Sequence, residues 1–140
     1  MNTDTVLITA LDQEGRGITR VDGKAVFVEG ALAGELVTIE IHRRRPTYEL
    51  ARATGILRAS PSRVAPLCPH FGVCGGCSLQ HLEAAAQVAA KQRVLEDALW
   101  HIGRVRAGEL LAPIHGPAWG YRQRARLSVR DVPKKGGVLV

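Results

Sequence analysis

Residues 18–28 read Ile18-Thr19-Arg20-Val21-Asp22-Gly23-Lys24-Ala25-Val26-Phe27-Val28. In this run an Asp-Gly pair separates two stretches that are rich in β-branched and apolar residues. Asp and Gly tolerate the positive φ angles of a type I′ turn, whose twist matches that of the strands on either side. The run therefore predicts a β-hairpin, and it is the strongest hairpin signal in the chain.

Strand patterns extend from this hairpin in both directions. Before it, Val6–Leu11 is a short apolar run that ends at a turn, and after it residues 36–42 alternate between apolar and polar side chains. A last strand is predicted over residues 47–57, where Gly55 indicates a bulge or a sharp bend. Five short strands without a helical pattern predict a small OB-like β-barrel over residues 1–59, a fold common among oligonucleotide-binding proteins. An SH3-like structural module is equally compatible with the pattern.

The composition describes a packed, basic protein. The chain has 140 residues, 46% of them hydrophobic, a formal net charge of +6 and a pI near 9.8. That hydrophobic share is too high for a disordered polyelectrolyte. No apolar run reaches the roughly 18 residues of a membrane span, and the start of the chain shows neither the basic nor the apolar part of a secretory signal. We therefore expect a cytoplasmic protein, with a nucleic acid as the first partner to consider.

The excess positive charge is concentrated in residues 104–140, which contain eight basic and two acidic residues. Within them, residues 121–130 alternate and predict a strand. The arginines on one face of that strand are Arg122, Arg124, Arg126 and Arg130. Such a row of guanidiniums suits a phosphate backbone, although a solvated face paired with carboxylates shows the same pattern. The run Pro133–Gly137 then predicts a hairpin turn that carries Lys134 and Lys135.

A second basic run, Arg43-Arg44-Arg45, lies at a predicted loop tip between two strands of the barrel. At such a tip the three guanidiniums either bind phosphates or form a solvated turn, and the sequence leaves both interpretations open.

Three cysteines are clustered after a break rich in Pro and Ser. Residues 60–67 contain this break and predict a linker. The cysteines follow with the spacing C-x5-C-x2-C, at Cys68, Cys74 and Cys77. Two thiolates separated by two residues can bind one metal centre, and glycines between them let backbone N–H groups approach the sulfurs. Three interpretations stay open: an iron–sulfur cluster short of one thiolate, a structural zinc site completed by His70 or His81, and free thiols without a metal.

One helix is predicted, over Leu82–Ile102. Apolar residues recur there at three- and four-residue steps, and Gly103 follows the last of them in a position typical of a helix C-terminus. We expect this apolar stripe to be core rather than a chemical site. Its members are Ala85, Val88, Leu95, Leu99 and Ile102.

Together these motifs resemble a known family. The barrel is similar to a TRAM domain in its motifs Gly15-Arg16-Gly17, Val21-Asp22-Gly23-Lys24 and Val28-Glu29-Gly30-Ala31. The run Cys68–His81, followed by a helix with Lys91-Gln92, is similar to the cluster motif of bacterial 23S rRNA uracil-5-methyltransferases. Residues 121–137 resemble the opening of that family's central domain. A TRAM domain ahead of the cysteine motif points to the branch of the family that modifies uracil 1939.

The resemblance implies a mixed α+β fold in four parts. These are a TRAM barrel over residues 1–59, a linker over 60–67, a cysteine-cluster loop and helix over 68–103, and the truncated start of a β-rich central RNA-binding domain over 104–140. The family's C-terminal Rossmann-like methyltransferase domain lies beyond such a fragment. We therefore expect that this chain cannot methylate RNA alone.

The resemblance also implies a [4Fe–4S] cluster, with Cys68, Cys74 and Cys77 as three of its four ligands and the fourth outside the chain. It implies S-adenosylmethionine, bound by the missing domain, as the methyl donor for C5 of a flipped-out uracil. The implied partner is 23S ribosomal RNA, bound by a monomer without membrane contact. No catalytic or S-adenosylmethionine-binding residue is expected in this chain.

The basic residues expected to bind RNA are Arg43, Arg44, Arg45, Arg122, Arg124, Arg126, Arg130, Lys134 and Lys135. The alternative to the methyltransferase is a free-standing OB-like RNA-binding protein with a structural zinc site. A purely structural role is a third interpretation, in which those arginines have no part in RNA binding.

Overall fold

The computed structural model describes residues 4–139. A sheet of six strands comes first, and one helix and a two-stranded hairpin follow. In chain order the elements are β1 (Asp4–Leu7), β2 (Ala10–Leu11), β3 (Gly17–Val21), β4 (Lys24–Glu29), β5 (Leu36–Arg44), β6 (Tyr48–Arg58), α1 (Ala84–His101), β7 (Arg130–Val132) and β8 (Gly137–Leu139). The described part of the chain is mostly β with one α-helix, in agreement with the sequence.

The first six strands form one sheet in the order β1-β5-β6-β4-β3-β2. β1 pairs with β5 at one edge and β2 pairs with β3 at the other, although only Ile8 and Thr9 separate β1 from β2. At this bend Ile8 N–H donates to Glu35 O at 2.9 Å and Thr9 N–H donates to Ile18 O at 2.8 Å. The bend joins the two edges and closes the sheet into a barrel. The predicted count of five strands is not confirmed, because the bend divides the predicted first strand in two.

The predicted hairpin is present as β3 and β4, which pair antiparallel with Val21 opposite Lys24. Asp22 and Gly23 between them have φ angles of 49° and 78°. Two positive values in succession define the type I′ turn. The prediction from the Asp-Gly pair is confirmed.

Aliphatic side chains fill the interior of the barrel. Alternate residues of each strand point inward, and the side chains that bury completely are short and mostly β-branched. Those with 0% exposure in the core cluster are Val26, Val28, Ala31, Val37, Ile39 and Ala51. β-branched residues fit a pleated strand well, so the scarce aromatic residues of the described chain remain outside this core.

The bulge predicted at Gly55 is confirmed. Thr38 lies opposite Gly55 whereas Ile39 lies opposite Ala53, so Thr54 is an extra residue in β6. The backbones also approach closely here, because a Cβ on Gly55 would lie 2.8 Å from Thr38 Oγ1. Glycine is therefore favoured at this position by the small space that Thr38 leaves.

The helix α1 lies within the predicted range, but the prediction that its apolar stripe is core is wrong. No residue of α1 is buried, and Leu95 is 56% exposed. The face of α1 toward the barrel is a neighbouring one, which carries Gln87, Ala90 and Val94. Periodicity shows that a helix has an apolar stripe. It does not show which face of the helix packs against the rest of the chain. None of the helices in the described chain has the length and apolarity to cross a membrane.

The C-terminal end of α1 lies where the sequence predicts it. Ile102 is the C-cap residue, so Gly103 occupies the C′ position. Gly103 N–H donates to Ala98 O at 3.2 Å. The left-handed conformation falls one residue later, at Arg104, with φ 55°.

The strand predicted over residues 121–130 is wrong for most of its length. The described residues 104–129 contain no helix and no strand, and β7 begins only at Arg130. A strand needs a paired neighbour for its backbone N–H and C=O groups, and nothing in the described part of the chain pairs with residues 121–129. The hairpin turn predicted over Pro133–Gly137 is confirmed, since it joins β7 to β8 through a 3-10 turn.

Candidate nucleic-acid interface and cysteine loop

A buried ion pair joins the barrel to the segment that leads to the cysteines. Glu35 is 0% exposed, and its carboxylate accepts hydrogen bonds from Nε and Nη2 of Arg63 at 2.6 and 2.8 Å. It also accepts from the backbone N–H groups of Leu32 at 2.8 Å and Ser60 at 3.0 Å. Burial raises the pKa of Glu35, but the hydrogen bonds and the charge of Arg63 outweigh burial and hold the pKa below its ordinary value. Glu35 is therefore an ionised anchor for Arg63.

The backbone that follows this ion pair forms hydrogen bonds with residues beyond the cysteines. Val64 N–H donates to His81 O at 3.0 Å, and Glu83 N–H donates to Ser62 O at 2.9 Å. These bonds close the base of the cysteine loop, which we define as residues 68–80. The loop is thereby attached to the barrel through the Glu35 anchor.

Leu79 packs the cysteine loop against the turn before β3. Gly15 in that turn has φ 79°, and a Cβ on it would lie 2.8 Å from Leu79 Cδ2. The missing side chain of Gly15 therefore makes room for Leu79. Gln87 of α1 completes this contact, because its Nε2 donates to Leu79 O at 3.0 Å and to Leu82 O at 2.8 Å. Barrel, cysteine loop and α1 meet around Leu79.

The three cysteines differ in their surroundings. Cys68 is partly buried, and its N–H donates to Gln80 Oε1 at 3.2 Å. Cys74 and Cys77 are exposed, and the N–H of Cys74 donates to His70 O at 3.1 Å. Their thiols are accessible from solvent, whereas the backbone at Cys68 is held by the far end of the loop.

One glycine of the loop places its N–H group on a sulfur, as the sequence predicts. Gly76 N–H donates to Cys74 Sγ at 3.4 Å. A Cβ on Gly76 would itself lie 3.5 Å from that sulfur. Hydrogen bonds of this kind stabilise thiolates and are typical of sulfur-ligated metal sites.

The donor chemistry of the loop fits a metal that prefers sulfur, but the loop does not gather its donors in this structure. Three thiols with an N–H group on one of them are the ligands that iron–sulfur clusters and zinc take. Among residues 4–139, however, no three side chains of His, Cys, Asp or Glu lie in a group that could hold a metal ion. Neither His70 nor His81 therefore completes a site with the cysteines here.

His81 lies in the interior, behind the cysteine loop. It is 3% exposed, and its ring centroid is 5.2 Å from that of Phe71. Neither Nδ1 nor Nε2 has a hydrogen-bond partner among the described residues. Burial and the positive charge of Arg63 lower the pKa of His81, and the opposing effect of Glu35 is smaller. The imidazole is therefore neutral at pH 7 and packs as an apolar ring.

The basic run at the end of β5 divides into two kinds of side chain. Arg44 Nη1 lies 2.9 Å from Glu49 Oε1, and Lys24 Nζ lies 3.6 Å from the same oxygen. Because Glu49 is only 6% exposed, Arg44 compensates a carboxylate at the end of the barrel. Arg43 and Arg45 are exposed, and their side chains make no hydrogen bond or ion pair with any residue in the described range.

The predicted RNA-binding residues near the C-terminal end are solvent-accessible but do not form the predicted row. The exposed ones are Arg122, Arg124, Arg126, Arg130 and Lys134. The guanidinium of Arg122 lies 5.8 Å from the ring centroid of Tyr121. The side chain of Lys135 lies outside the described part of the structure.

A cavity that the sequence does not reveal lies between the cysteine loop, α1 and residues 118–122. Its volume is about 640 Å³, and its lining includes Cys77, Lys91, Trp119 and Arg122. The walls come from segments far apart in the chain, so no local pattern predicts the cavity. The only local signal for the cavity is Trp119, which lies in a loop rich in Pro and Gly.

The sequence also does not indicate an aromatic pair on the outer face of the barrel. Phe27 of β4 and Tyr48 of β6 point outward there, with ring centroids 5.8 Å apart and an interplanar angle of 82°. The guanidinium of Arg16 lies over the Phe27 ring, 5.0 Å from its centroid. Local sequence patterns could not show that the two rings meet, because Phe27 and Tyr48 lie on neighbouring strands that are far apart in the chain.

Comparison with known proteins agrees with this architecture. Residues 2–54 match the family model of the TRAM domain. The chain is 66% identical over 134 residues to the 23S rRNA (uracil(1939)-C(5))-methyltransferase RlmD of Aromatoleum aromaticum, which covers 96% of this chain and 31% of that protein. It is 63% identical to RlmD of Bordetella parapertussis, over 98% of this chain and 29% of that protein, and 65% identical to RlmD of an Azoarcus species, over 97% and 31%. Over nearly its whole length, this chain is similar to the N-terminal part of these RlmD proteins.

The chain spans about 30% of the length of these RlmD relatives. The resemblance inferred from its motifs is confirmed. The TRAM match ends at residue 54, whereas β6 of the TRAM barrel continues to Arg58, and Glu35 binds groups as far along the chain as Arg63. The structural unit is thus longer than the sequence match.

Proposed function

We propose that this chain is the RNA-binding and [4Fe–4S]-binding part of an S-adenosylmethionine-dependent methyltransferase that forms 5-methyluridine in 23S rRNA. The observation that carries the proposal is the 66% identity to RlmD of Aromatoleum aromaticum over 96% of the chain. That similarity extends well beyond the TRAM match at residues 2–54, into the cysteine loop and the basic C-terminal segment. The proposed setting is a cytoplasmic monomer bound to 23S rRNA.

RNA binding is assigned to the exposed basic side chains. Arg43 and Arg45 are available at the end of β5, and Arg44 is 69% exposed while it remains paired with Glu49. Arginine binds phosphate through two parallel N–H groups, so an exposed cluster favours an RNA backbone. The further residues of this assignment are Arg122, Arg124, Arg126, Arg130, Lys134 and Lys135.

The cluster is assigned to the cysteine loop. Cys68, Cys74 and Cys77 would each supply a thiolate, and the fourth ligand would come from outside this chain. When bound, the cluster supplies iron–thiolate bonds that cross-link the loop. The Gly76 N–H group on Cys74 Sγ supports the assignment, because it stabilises negative charge on that sulfur.

The methyl transfer itself is assigned to the part of the relatives that this chain does not span. Methylation at C5 of uracil needs a nucleophile that adds to C6, a base that removes the C5 proton and a bound methyl donor. All three cysteines of this chain are assigned to the metal, so none remains as the nucleophile. We expect the 140-residue chain to bind RNA and to have no methyltransferase activity.

This division is tested by two assays on the same preparations. The 140-residue chain and full-length RlmD of Aromatoleum aromaticum are incubated with labelled S-adenosylmethionine and unmodified 23S rRNA. We expect label transfer by the full-length enzyme, none by the chain, and salt-dependent RNA binding by both. Methyl transfer by the chain alone would overturn the assignment of catalysis, and a chain that fails to bind RNA would overturn the assignment of RNA binding.

The cluster is tested by anaerobic reconstitution with iron and sulfide. We expect visible absorption bands from the chain that bleach readily in air, because one ligand is missing, and about four irons in the full-length enzyme. Replacing Cys68, Cys74 or Cys77 by Ser should abolish the bands, whereas the neighbouring Ser78→Ala should retain them. One zinc per chain without visible absorption would overturn the cluster and favour the zinc-containing RNA-binding protein.

A further inference from the structure

We infer that the outer face of the TRAM barrel carries a stacking platform for an unpaired RNA base, built on Tyr48 and flanked by Arg20 and Arg43. The inference rests on the proposed RNA-binding function and deepens it, because it names the face, the side chains and the part of the RNA that they contact. Of these three residues, only Arg43 belongs to the basic runs that the sequence singled out.

The position of the platform follows from strand register and alternation. β4 and β6 are parallel neighbours, with Ala25 opposite Tyr48 and Phe27 opposite Leu50. The residues that alternate with these on both strands are buried: Val26, Val28, Glu49 and Ala51. Phe27 and Tyr48 therefore project from the outer surface, where they contact each other edge to face.

The two rings differ in what already covers them. The guanidinium of Arg16 lies over Phe27, 5.0 Å from its centroid, and Arg16 Nη2 is fixed at 2.7 Å from Asp12 Oδ2. Phe27 is thus covered by a side chain that is itself held in place. Tyr48 has no cation over its ring among the described residues, and the residue is partly exposed while its ring contacts Phe27. Tyr48 is the ring of this pair that remains open to a ligand.

Two arginines lie on either side of Tyr48. Arg20 of β3 lies opposite Ala25, which in turn lies opposite Tyr48, so two strand spacings of about 10 Å in total separate Arg20 from Tyr48. On the other side Arg43 of β5 lies opposite Leu50, two residues along β6 from Tyr48. A planar ring between two cations matches a nucleotide, whose base is flat and whose phosphates are negative.

The charges at this end of the face are available to a ligand. The side chain of Arg43 makes no ion pair with any described residue, and Arg20 Nη1 binds only the backbone oxygen of Gly23, at 3.1 Å. At the other end of the same face, Arg52 is paired with Glu40 at 3.1 Å. Positive potential is therefore concentrated around Tyr48, and this charge complementarity identifies RNA as the occupant.

The chemistry selects unpaired RNA. A base stacks on an aromatic ring only when it is not enclosed in a duplex, and single-stranded loops are the RNA elements whose bases splay out in this way. Stacking on one ring tolerates all four bases, because each has a π-face. The platform therefore contributes affinity and register, with little base preference of its own.

The test measures binding of a fluorescein-labelled single-stranded RNA of about 12 nucleotides to the 140-residue chain by anisotropy. Tyr48→Leu removes the π-face and keeps an apolar contact with Phe27, whereas Tyr48→Phe keeps the ring. We expect Tyr48→Leu to weaken binding about tenfold and Tyr48→Phe to bind like the unsubstituted chain. Equal affinity of the two variants would overturn the platform.

The flanking charge is tested with a matched pair. Arg43→Gln and Arg58→Gln remove the same charge from exposed positions, but Arg58 ends β6 at the strand terminus opposite to Tyr48. We expect Arg43→Gln to weaken binding and to reduce the slope of log affinity against log salt by about 0.7, with a smaller effect of Arg58→Gln. Equal effects would mean that only net charge matters and would overturn the site.

Two further outcomes separate this inference from the proposed function. If the unsubstituted chain binds no RNA, the proposed RNA-binding function fails with it; if the chain binds RNA but Tyr48→Leu binds equally well, only the platform fails. Should Tyr48→Leu not fold, as judged by thermal melting, the ring protons of Tyr48 in the unsubstituted chain answer the same question. Upfield shifts on addition of RNA support stacking, and unchanged shifts overturn it.

Discussion

Arg63 Nε lies 2.6 Å from Oε1 of Glu35, a residue 28 positions earlier in the chain and fully buried in the barrel. The pair connects the barrel to the base of the cysteine loop. A buried carboxylate that loses its partner is strongly unfavourable, because the charge stays out of water without compensation.

Arg63→Leu should therefore lower the free energy of unfolding by about 3–5 kcal/mol, measured by urea denaturation. The matched control is Arg52→Leu, which breaks the exposed Arg52–Glu40 ion pair and should cost less than about 1 kcal/mol. Similar losses of unfolding free energy in the two variants would show that Arg63 does not stabilise the buried carboxylate of Glu35.

Stability should fall in acid because of Glu35. Its pKa in the folded chain is below the ordinary value of 4.5, so the unfolded chain binds more protons as the pH drops. The stabilisation is fully present above pH 4.5 and is lost as the pH falls through the lower, folded-state pKa. Urea midpoints measured in acid should show this decline, and Glu35→Gln should flatten it. A decline of equal size in Glu35→Gln would assign the acid sensitivity to other carboxylates.

His81 should add a separate pH dependence at milder acidity. Its pKa in the folded chain is below 6.5, so the unfolded chain gains a proton before the folded chain does. Stability is complete above pH 6.5 and decreases below it until the folded-state pKa is reached. His81→Phe, which keeps a ring against Phe71, should remove this decrease in thermal melts. Persistence of the slope in His81→Phe would contradict the assignment.

Gly15→Ala should destabilise the chain more than Gly30→Ala. The two glycines have nearly equal φ angles, 79° and 78°, but a Cβ at Gly15 would lie 2.8 Å from Leu79 whereas nothing lies within 4 Å of one at Gly30. Both variants pay about 1–2 kcal/mol for the left-handed conformation, and Gly15→Ala should lose about 1–3 kcal/mol more from the clash. Equal losses in chemical denaturation would mean that Leu79 moves aside without cost.

The basic C-terminal segment should contribute to RNA affinity through phosphates. Replacing Arg122, Arg124 and Arg126 together by Gln should weaken binding to all RNA sequences alike and reduce the salt slope by about 2. Anisotropy titrations at several salt concentrations measure both quantities. Unchanged affinity and slope would indicate a purely structural role for these arginines.

The sequence predicts the features that depend on neighbouring residues. The Asp22-Gly23 turn and the bulge at Gly55 follow from backbone preferences that a short run of chain determines. The contact of Gly76 N–H with Cys74 Sγ was also predictable, because it spans two residues. The TRAM domain was predicted from its sequence motifs, and the match to the family model confirms it.

Features that depend on distant partners were not predictable from local patterns. The bend at Ile8-Thr9 divides a strand only because β5 and β3 lie on either side of it. The apolar stripe of α1 was placed in the core because periodicity does not show which face is covered. Residues 121–129 alternate like a strand, yet no described strand pairs with them. Tyr48 became a candidate only when the register placed it between Arg20 and Arg43.

The Glu35–Arg63 ion pair determines where the barrel can be separated from the rest of the chain. A barrel that ends at residue 54, where the TRAM match stops, lacks the pairs of β6 with β5 at Gly55, Ile56 and Arg58. It also lacks Arg63, so the buried carboxylate of Glu35 loses its charged partner. A graft of the barrel into another enzyme must therefore carry residues through Arg63. The TRAM barrel is therefore transferred together with the first residues of the segment that leads to the cysteines.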